Sequence, residues 1–300
     1  MKKEASERIE GQISVHPKGF GFVKVTDGPD IFIPKHLTLD AVDGDVVEVA
    51  VNPKVSPRGP EGEIVSIVKR GRTHLAGTIL AKSRGHWTAY SPILGQEKWI
   101  HLKAKGASLE EGDRIVCKVS NWEKEGNFVE AQFVRKIGHI SDPSVDIEAA
   151  IEEFGLPQHF TKEVNGAAKK FGKTVQPSEL KERIDCTDWE CVTIDPDTAK
   201  DFDDAISLTT DKRGHFFLGV HIADVAHYVK AGSVIDKEAA NRCNSTYFPG
   251  QCIPMLPENL SNELCSLKPN VVRLTQAVLA EFTPQGDLVS FHVVRNAIKS

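Results

Sequence analysis

The 300-residue sequence holds no apolar run near the roughly 18–20 residues that a bilayer-spanning helix requires. Its first ten residues, Met1-Lys-Lys-Glu-Ala-Ser-Glu-Arg-Ile-Glu10, lack the apolar stretch of a secretory signal. A cytoplasmic protein without membrane association is the expectation. Cysteine is sparse: six residues, at 117, 186, 191, 243, 252 and 265, with no Cys-x-x-Cys pair. That spacing argues against both a zinc ribbon and a disulfide framework, so the six read as free thiols in a reducing compartment, a metal role for Cys186 and Cys191 being the lesser alternative. Neither charge nor hydrophobicity is extreme, since 40% of residues are apolar and 26% charged, which excludes pervasive disorder.

The net charge of −5 does not by itself suggest a nucleic-acid binder, but the sum conceals an asymmetry. Residues 1–140 hold 21 Lys/Arg against 18 Asp/Glu, net +3, and the remainder is net −8. An acidic half is either a solvated surface or a place where carboxylates gather around a cation.

Period-two alternation dominates the first 140 residues. Strand patterns recur at Ile9 to Val15, Gly19 to Val25, Asp30 to Ile33, Asp45 to Val51 and Glu63 to Val68, five in about 60 residues. After Lys69-Arg-Gly-Arg72 the layout repeats, with Gly112-Asp113 standing where the first copy has Gly44-Asp45. Two tandem five-stranded barrels are expected, over 9–70 and 71–138, following an N-terminal segment 1–8. A helical connector is expected over 139–190, and an α+β domain over 191–300.

In Gly19-Phe-Gly-Phe-Val-Lys-Val25, alternation puts Phe20 and Phe22 on one face and the valines on the other. Phe32 likewise opposes Ile31 and Ile33. If the aliphatic residues fill the barrel, three rings lie outside it beside Lys18, Lys24 and Lys35. Such a strip stacks single-stranded bases at about 1–3 kcal/mol each; packing against a neighbouring element is the alternative. In the second barrel Trp99 and His101 share a face, where interface packing and nucleic-acid contact weigh equally.

Asp195-Pro-Asp-Thr-Ala-Lys-Asp-Phe-Asp-Asp204 carries net −4 in ten residues between two strand patterns. Carboxylates brought to about 4 Å repel by roughly 4 kcal/mol per pair at an effective dielectric near 20. A cation removes that penalty, and oxygen ligands without Cys or His favour Mg²⁺ or Mn²⁺. A calcium loop is disfavoured by Lys200 and Ile206 at its sixth and twelfth positions. A solvated turn and a salt-bridge cluster stay open as alternatives.

Three motifs in order resemble the ribonuclease R and ribonuclease II (RNB) family: the aspartate run, His221-Ile-Ala-Asp-Val-Ala-His-Tyr-Val229, and the segment from Asn244-Ser-Thr-Tyr-Phe-Pro to Leu-Lys-Pro269. The two barrels are similar to that family's paired cold-shock domains. The resemblance implies an architecture that is mainly β plus α+β: two tandem OB-fold barrels, the connector, and the N-terminal part of an RNB nuclease domain. It implies a processive 3′ to 5′ exoribonuclease using Mg²⁺ to release nucleoside 5′-monophosphates from single-stranded RNA. Carried over by position, Asp195, Asp201, Asp203 and Asp204 are its catalytic and metal-binding aspartates, with Asp195 and Asp204 as direct ligands. Tyr247 takes the place of the aromatic clamp on the 3′-terminal nucleotide. The family pattern continues beyond residue 300 into further nuclease-domain sequence and an S1 domain, so the chain reads as a fragment. A separate chain supplying that remainder is a candidate partner. A non-catalytic single-strand RNA-binding protein is the alternative function.

Overall fold

The computed structural model describes residues 7–16, 18–53, 59–83, 85–95, 98–124, 127–197 and 199–300. Among them no helix is long and apolar enough to cross a membrane. The chain divides into two compact units, Met1–Leu156 and Pro157–Ser300.

The first unit contains the two expected barrels. In the first, β1 (Arg8–Val15), β2 (Gly21–Lys24), β3 (Ile31–Ile33), β4 (Val46–Val51) and β5 (Gly62–Lys69) pair in the order β3-β2-β1-β4-β5. Alternation sends Ile13, Val23, Ile31, Ile33, Val47, Val49 and Ile64 inward as one core. A parallel bridge between Phe32 and Glu61 draws the two outer strands together. The second barrel, β6 (His74–Ser83), β7 (His86–Tyr90), β8 (Trp99–Lys103), β9 (Asp113–Lys124) and β10 (Phe128–His139), has the same order and closes through parallel β8 and β10.

The repeated Gly-Asp is a turn device. Gly44 and Gly112 both have left-handed φ, 88° and 91°, and at Gly112 a Cβ would meet the His139 ring at 2.4 Å. The following aspartates are fully buried. Asp45 accepts from the Val42 and Gly71 amides (3.0 and 2.8 Å) and from Arg70 (2.9 Å). Asp113 accepts from the Glu110 amide (2.9 Å) and pairs with Lys136 at 2.6 Å. Asp45 thus satisfies two turn amides and a cation at once, and Asp113 one turn amide and a cation.

The stretch expected as a single helical connector is divided between the units. Helix α1 (Asp146–Phe154) belongs to the first, where Arg135 bridges Glu148 and Glu152 at 2.6 Å each. Helix α2 (Lys162–Lys169), capped by Thr161 Oγ accepting from the Val164 amide, belongs to the second. The turn over Pro177–Leu180 is a 3₁₀ segment with Gln176 at its N-cap, the Gln176 amide donating to Glu179 Oε2 at 2.6 Å. Residues Ile184–Cys186, expected in the connector, form strand β11.

In the second unit, β11 joins β12 (Cys191–Val192), β13 (Asp204–Thr210), β14 (Phe216–Ala223), β17 (Val272–Phe282) and β18 (Leu288–Lys299) in a sheet ordered β11-β18-β17-β14-β13-β12. Between β14 and β17 come α3 (Val225–Tyr228), α4 (Val234–Arg242) and a hairpin of β15 (Thr246–Phe248) and β16 (Gln251–Ile253). Strand β17 escapes sequence patterning because Arg273, Leu274 and Thr275 are all buried, so its first half shows no alternation. Ala205, Ala223, Leu274 and Ile298 of the sheet join Val164 and Ala168 of α2 and Ile235 of α4 in one core.

Candidate functional site

The aspartate run lies where β12 gives way to β13. Its backbone is pinned from a distant segment: the Phe202 amide donates to Ser266 Oγ (3.1 Å), Ser266 Oγ donates to the Lys200 carbonyl (2.8 Å), and the Leu267 amide donates to the Phe202 carbonyl (2.8 Å). The Ala223 amide donates to the Asp203 carbonyl (2.9 Å). With the Phe202 ring packed on the core, residues 200–203 are held from both sides. Ser266 is invisible to spacing arguments because it stands more than 60 residues from the loop it fixes.

Electrostatically the four predicted aspartates share one neighbourhood. Burial pushes the Asp203 carboxyl above the usual carboxylate range, and the charges of Asp201, Asp204 and Asp195 push it further the same way. Among the described residues no three Asp, Glu, His or Cys side chains stand close enough together to hold an ion ready-made. The donor chemistry nevertheless fits a hard divalent cation: the four are carboxylates, and their crowding on Asp203 is the penalty a cation would relieve.

Tyr247 sits on β15 opposite Cys252 of β16. Its side chain is 64% exposed, yet its hydroxyl donates to Asp201 Oδ2 at 2.5 Å. That bond, followed by burial of the hydroxyl, pushes the phenol up to about 12. Arg242 anchors the hairpin: it donates to the Pro157, His159 and Pro254 carbonyls and lies 3.7 Å over the Phe160 ring. The Met255 amide adds a bond to Ser245 Oγ (2.9 Å). The sequence offered no signal for Arg242.

On the first barrel, Phe20, Phe22 and Phe32 come together outside the core, with ring centroids 5.5–6.0 Å apart. Phe22 and Phe32 are direct cross-strand partners. His16 extends the strip by stacking on Phe20 at 4.5 Å, a neighbour the alternation did not identify. Trp99 on the second barrel is half-buried against Tyr90 (6.1 Å), while His101 stacks on Phe128 at 3.7 Å.

The His221 to Val229 motif is structural. His221 is fully buried, hydrogen-bonded to Ser207 Oγ (2.9 Å) and Asn296 (3.0 Å). Asp224 receives Arg183 at 2.5 Å, Arg295 at 3.2 Å and Gln276 at 3.0 Å. These donors outweigh the desolvation of Asp224 and bring its carboxyl down to about 2.

Comparison with known proteins places these features in a family. The RNB domain pattern matches residues 183–300, the ribonuclease B OB domain matches 11–67, and a cold shock domain matches 94–161. Ribonuclease R of Chlamydia pneumoniae is 44% identical over 97% of this chain and 45% of its own length. Ribonuclease R of Acidithiobacillus ferrooxidans is 33% identical over 99% of this chain and 68% of its own length. Among solved structures, Mycoplasma genitalium RNase R in complex with ribose-methylated single-stranded RNA is similar with a TM-score of 0.73 and 28% identity, covering 97% of this chain and 47% of that one. The chain spans about half the length of several of the relatives it matches. With its paired OB-type barrels and its aspartate-bearing RNB sheet, the chain belongs to the ribonuclease R family.

Proposed function

We propose that the protein acts on single-stranded RNA as a 3′ to 5′ exoribonuclease of the ribonuclease R type, processively releasing nucleoside 5′-monophosphates with Mg²⁺, or Mn²⁺ as a substitute. The observation that carries this reading is the bond from the exposed Tyr247 to Asp201, beside an Asp203 whose carboxyl feels the charges of Asp201, Asp204 and Asp195. Asp195 and Asp204 would hold the metal directly, and Asp201 and Asp203 would complete its shell or orient water and phosphate. The cation supplies charge neutralisation at the scissile phosphate and lowers the pKa of the attacking water. Tyr247 contributes an exposed ring for the terminal base, oriented by its hydroxyl bond to Asp201. The strip of Phe20, Phe22 and Phe32 offers stacking surfaces for a single strand, and Mycoplasma genitalium RNase R is known in complex with ribose-methylated single-stranded RNA. We assign the protein to the cytoplasm, where its thiols would stay reduced.

The test uses the chain joined to the C-terminal remainder of an RNB relative and measures mononucleotide release from labelled oligo(A). Release should require Mg²⁺ and stop with a chelator. Asp204→Asn should lower it at least about 100-fold with RNA affinity retained. Metal-independent release, or near wild-type turnover in Asp204→Asn, would remove these carboxylates from the chemistry.

A further inference from the structure

Arg273 is the second residue of β17 and is 2% exposed. Two other arginines of the second unit have side chains as deeply buried, and each meets a carboxylate: Arg183 meets Asp224 at 2.5 Å and Arg242 meets Glu238 at 2.9 Å. Among the described residues Arg273 meets none. It donates instead from Nε to the Ser266 carbonyl (2.9 Å) and from Nη1 to the Val272 carbonyl (3.1 Å), the two ends of the turn that leads into β17. A guanidinium taken out of water without a counter-ion is costly, and its planar fork lets one side chain serve two carbonyls. What this one holds is Ser266.

Ser266 is fully buried and clamps the aspartate run. Its hydroxyl accepts from the Phe202 amide and donates to the Lys200 carbonyl, while the next amide, that of Leu267, donates to the Phe202 carbonyl. Asp201 and Asp203 flank Phe202, so the placement of both carboxylates follows from where Ser266 stands. Cys265, on the other side of Ser266, lies in the fields of both partners. Burial pushes its thiol up to about 12, the charge of Asp203 pushes it the same way, and the charge of Arg273 opposes them. Groups that bind a metal or a reacting phosphate must be held to within about 0.5 Å, a tolerance that the residues behind them enforce.

We propose that Arg273 is a positioning residue of the aspartate site: its bond to the Ser266 carbonyl sets the place of Ser266, and Ser266 in turn sets the place of Asp201 and Asp203. This rests on the functional reading above, in which those carboxylates hold a divalent cation. Arg273 touches neither RNA nor metal in this role. The Phe202 ring in the core and the Ala223 amide on the Asp203 carbonyl support the run independently, so loss of the Ser266 clamp loosens the run without unfolding the sheet. Lysine at 273 keeps the charge and gives up the fork, which separates the geometry of the contact from its field.

The experiment uses this chain with Arg273→Lys, Ser266→Ala and the two combined, and takes two readings. Amide exchange by NMR follows Phe202 and Leu267, with the ladder of β13 and β14 as the internal control; Mn²⁺ affinity is measured by electron paramagnetic resonance. Each single substitution should speed exchange at Phe202 and Leu267 at least about tenfold and weaken Mn²⁺ at least about tenfold, with the control ladder unchanged. The combined variant should fall well short of the product of the single effects, because both act on one clamp. Arg273→Met, which removes the charge as well, is the second variant should Arg273→Lys not fold. Wild-type exchange at Phe202 and Leu267 in the Arg273 variant, equal loosening of the β13–β14 ladder, or single effects that multiply in full overturns the proposal. Wild-type chain that binds no Mn²⁺ while the exchange results hold upholds the positioning by Arg273 and overturns the metal reading alone.

Discussion

A carboxylate in the field of like charges reports its surroundings through its proton affinity, and Asp203 does so here: burial and like charge act in the same direction on it. Tyr247 reports the same cluster from the outside, since its phenol is raised by the hydrogen bond it gives to Asp201. The phenylalanines of the first barrel were legible residue by residue, because period two in a strand fixes the face of each side chain. His16 was not, because its place comes from the turn: its amide donates to the Phe20 carbonyl at 2.8 Å, and the ring then lies on Phe20. Phe20→Ala combined with Phe22→Ala should weaken poly(A) binding at least tenfold, given about 1–3 kcal/mol for each stacked base. Fluorescence anisotropy at two salt concentrations measures this, and an unchanged affinity would return the rings to a packing role.

At the scale of elements, the two barrels owe their likeness to one repeated turn. A left-handed glycine places the next aspartate inward, where turn amides and a basic side chain neutralise it. Asp45→Ala strands the Val42 and Gly71 amides and the Arg70 guanidinium, so it should cost about 3 kcal/mol of stability. Urea denaturation of the chain followed by circular dichroism gives the value; a loss under about 0.5 kcal/mol would mean that water replaces the carboxylate without penalty. The amphipathic and alternating elements were readable from their spacing. Strand β17 and the β15–β16 hairpin were not: the first is buried on both faces at its start, and the second has only three residues per strand.

Across the whole molecule, acid should be the destabilising direction, through one group on β14 and one just beyond its end. His221 is buried and its pKa is depressed, chiefly by desolvation, so the fold keeps it neutral while the unfolded chain protonates below about 6.5. Its contribution is present above that pH and is lost as pH falls. Asp224, held at about 2 against an ordinary 3.8, contributes stability above the ordinary value that is lost as pH falls toward 2, roughly 2 kcal/mol in all. Urea midpoints measured from pH 7.5 to pH 2.5 should therefore decline below pH 6.5 and again below pH 4. Asp224→Asn should remove the second decline and keep the first; two unchanged declines would show that other carboxylates govern acid unfolding.

Local chemistry in the sequence sufficed for the five-stranded repeats, the aromatic strip and the aspartate run, because alternation and charge density act over a few residues and survive in a linear reading. The tertiary structure alone decided what holds them. Ser266 fixes the aspartate loop, Arg183 and Arg295 neutralise Asp224, Arg242 anchors the hairpin of Tyr247, and β11 joins the sheet across more than a hundred residues. Those pairings are set by the closing of the sheet and its core, which brings distant donors to one place and leaves no periodicity along the chain to announce it.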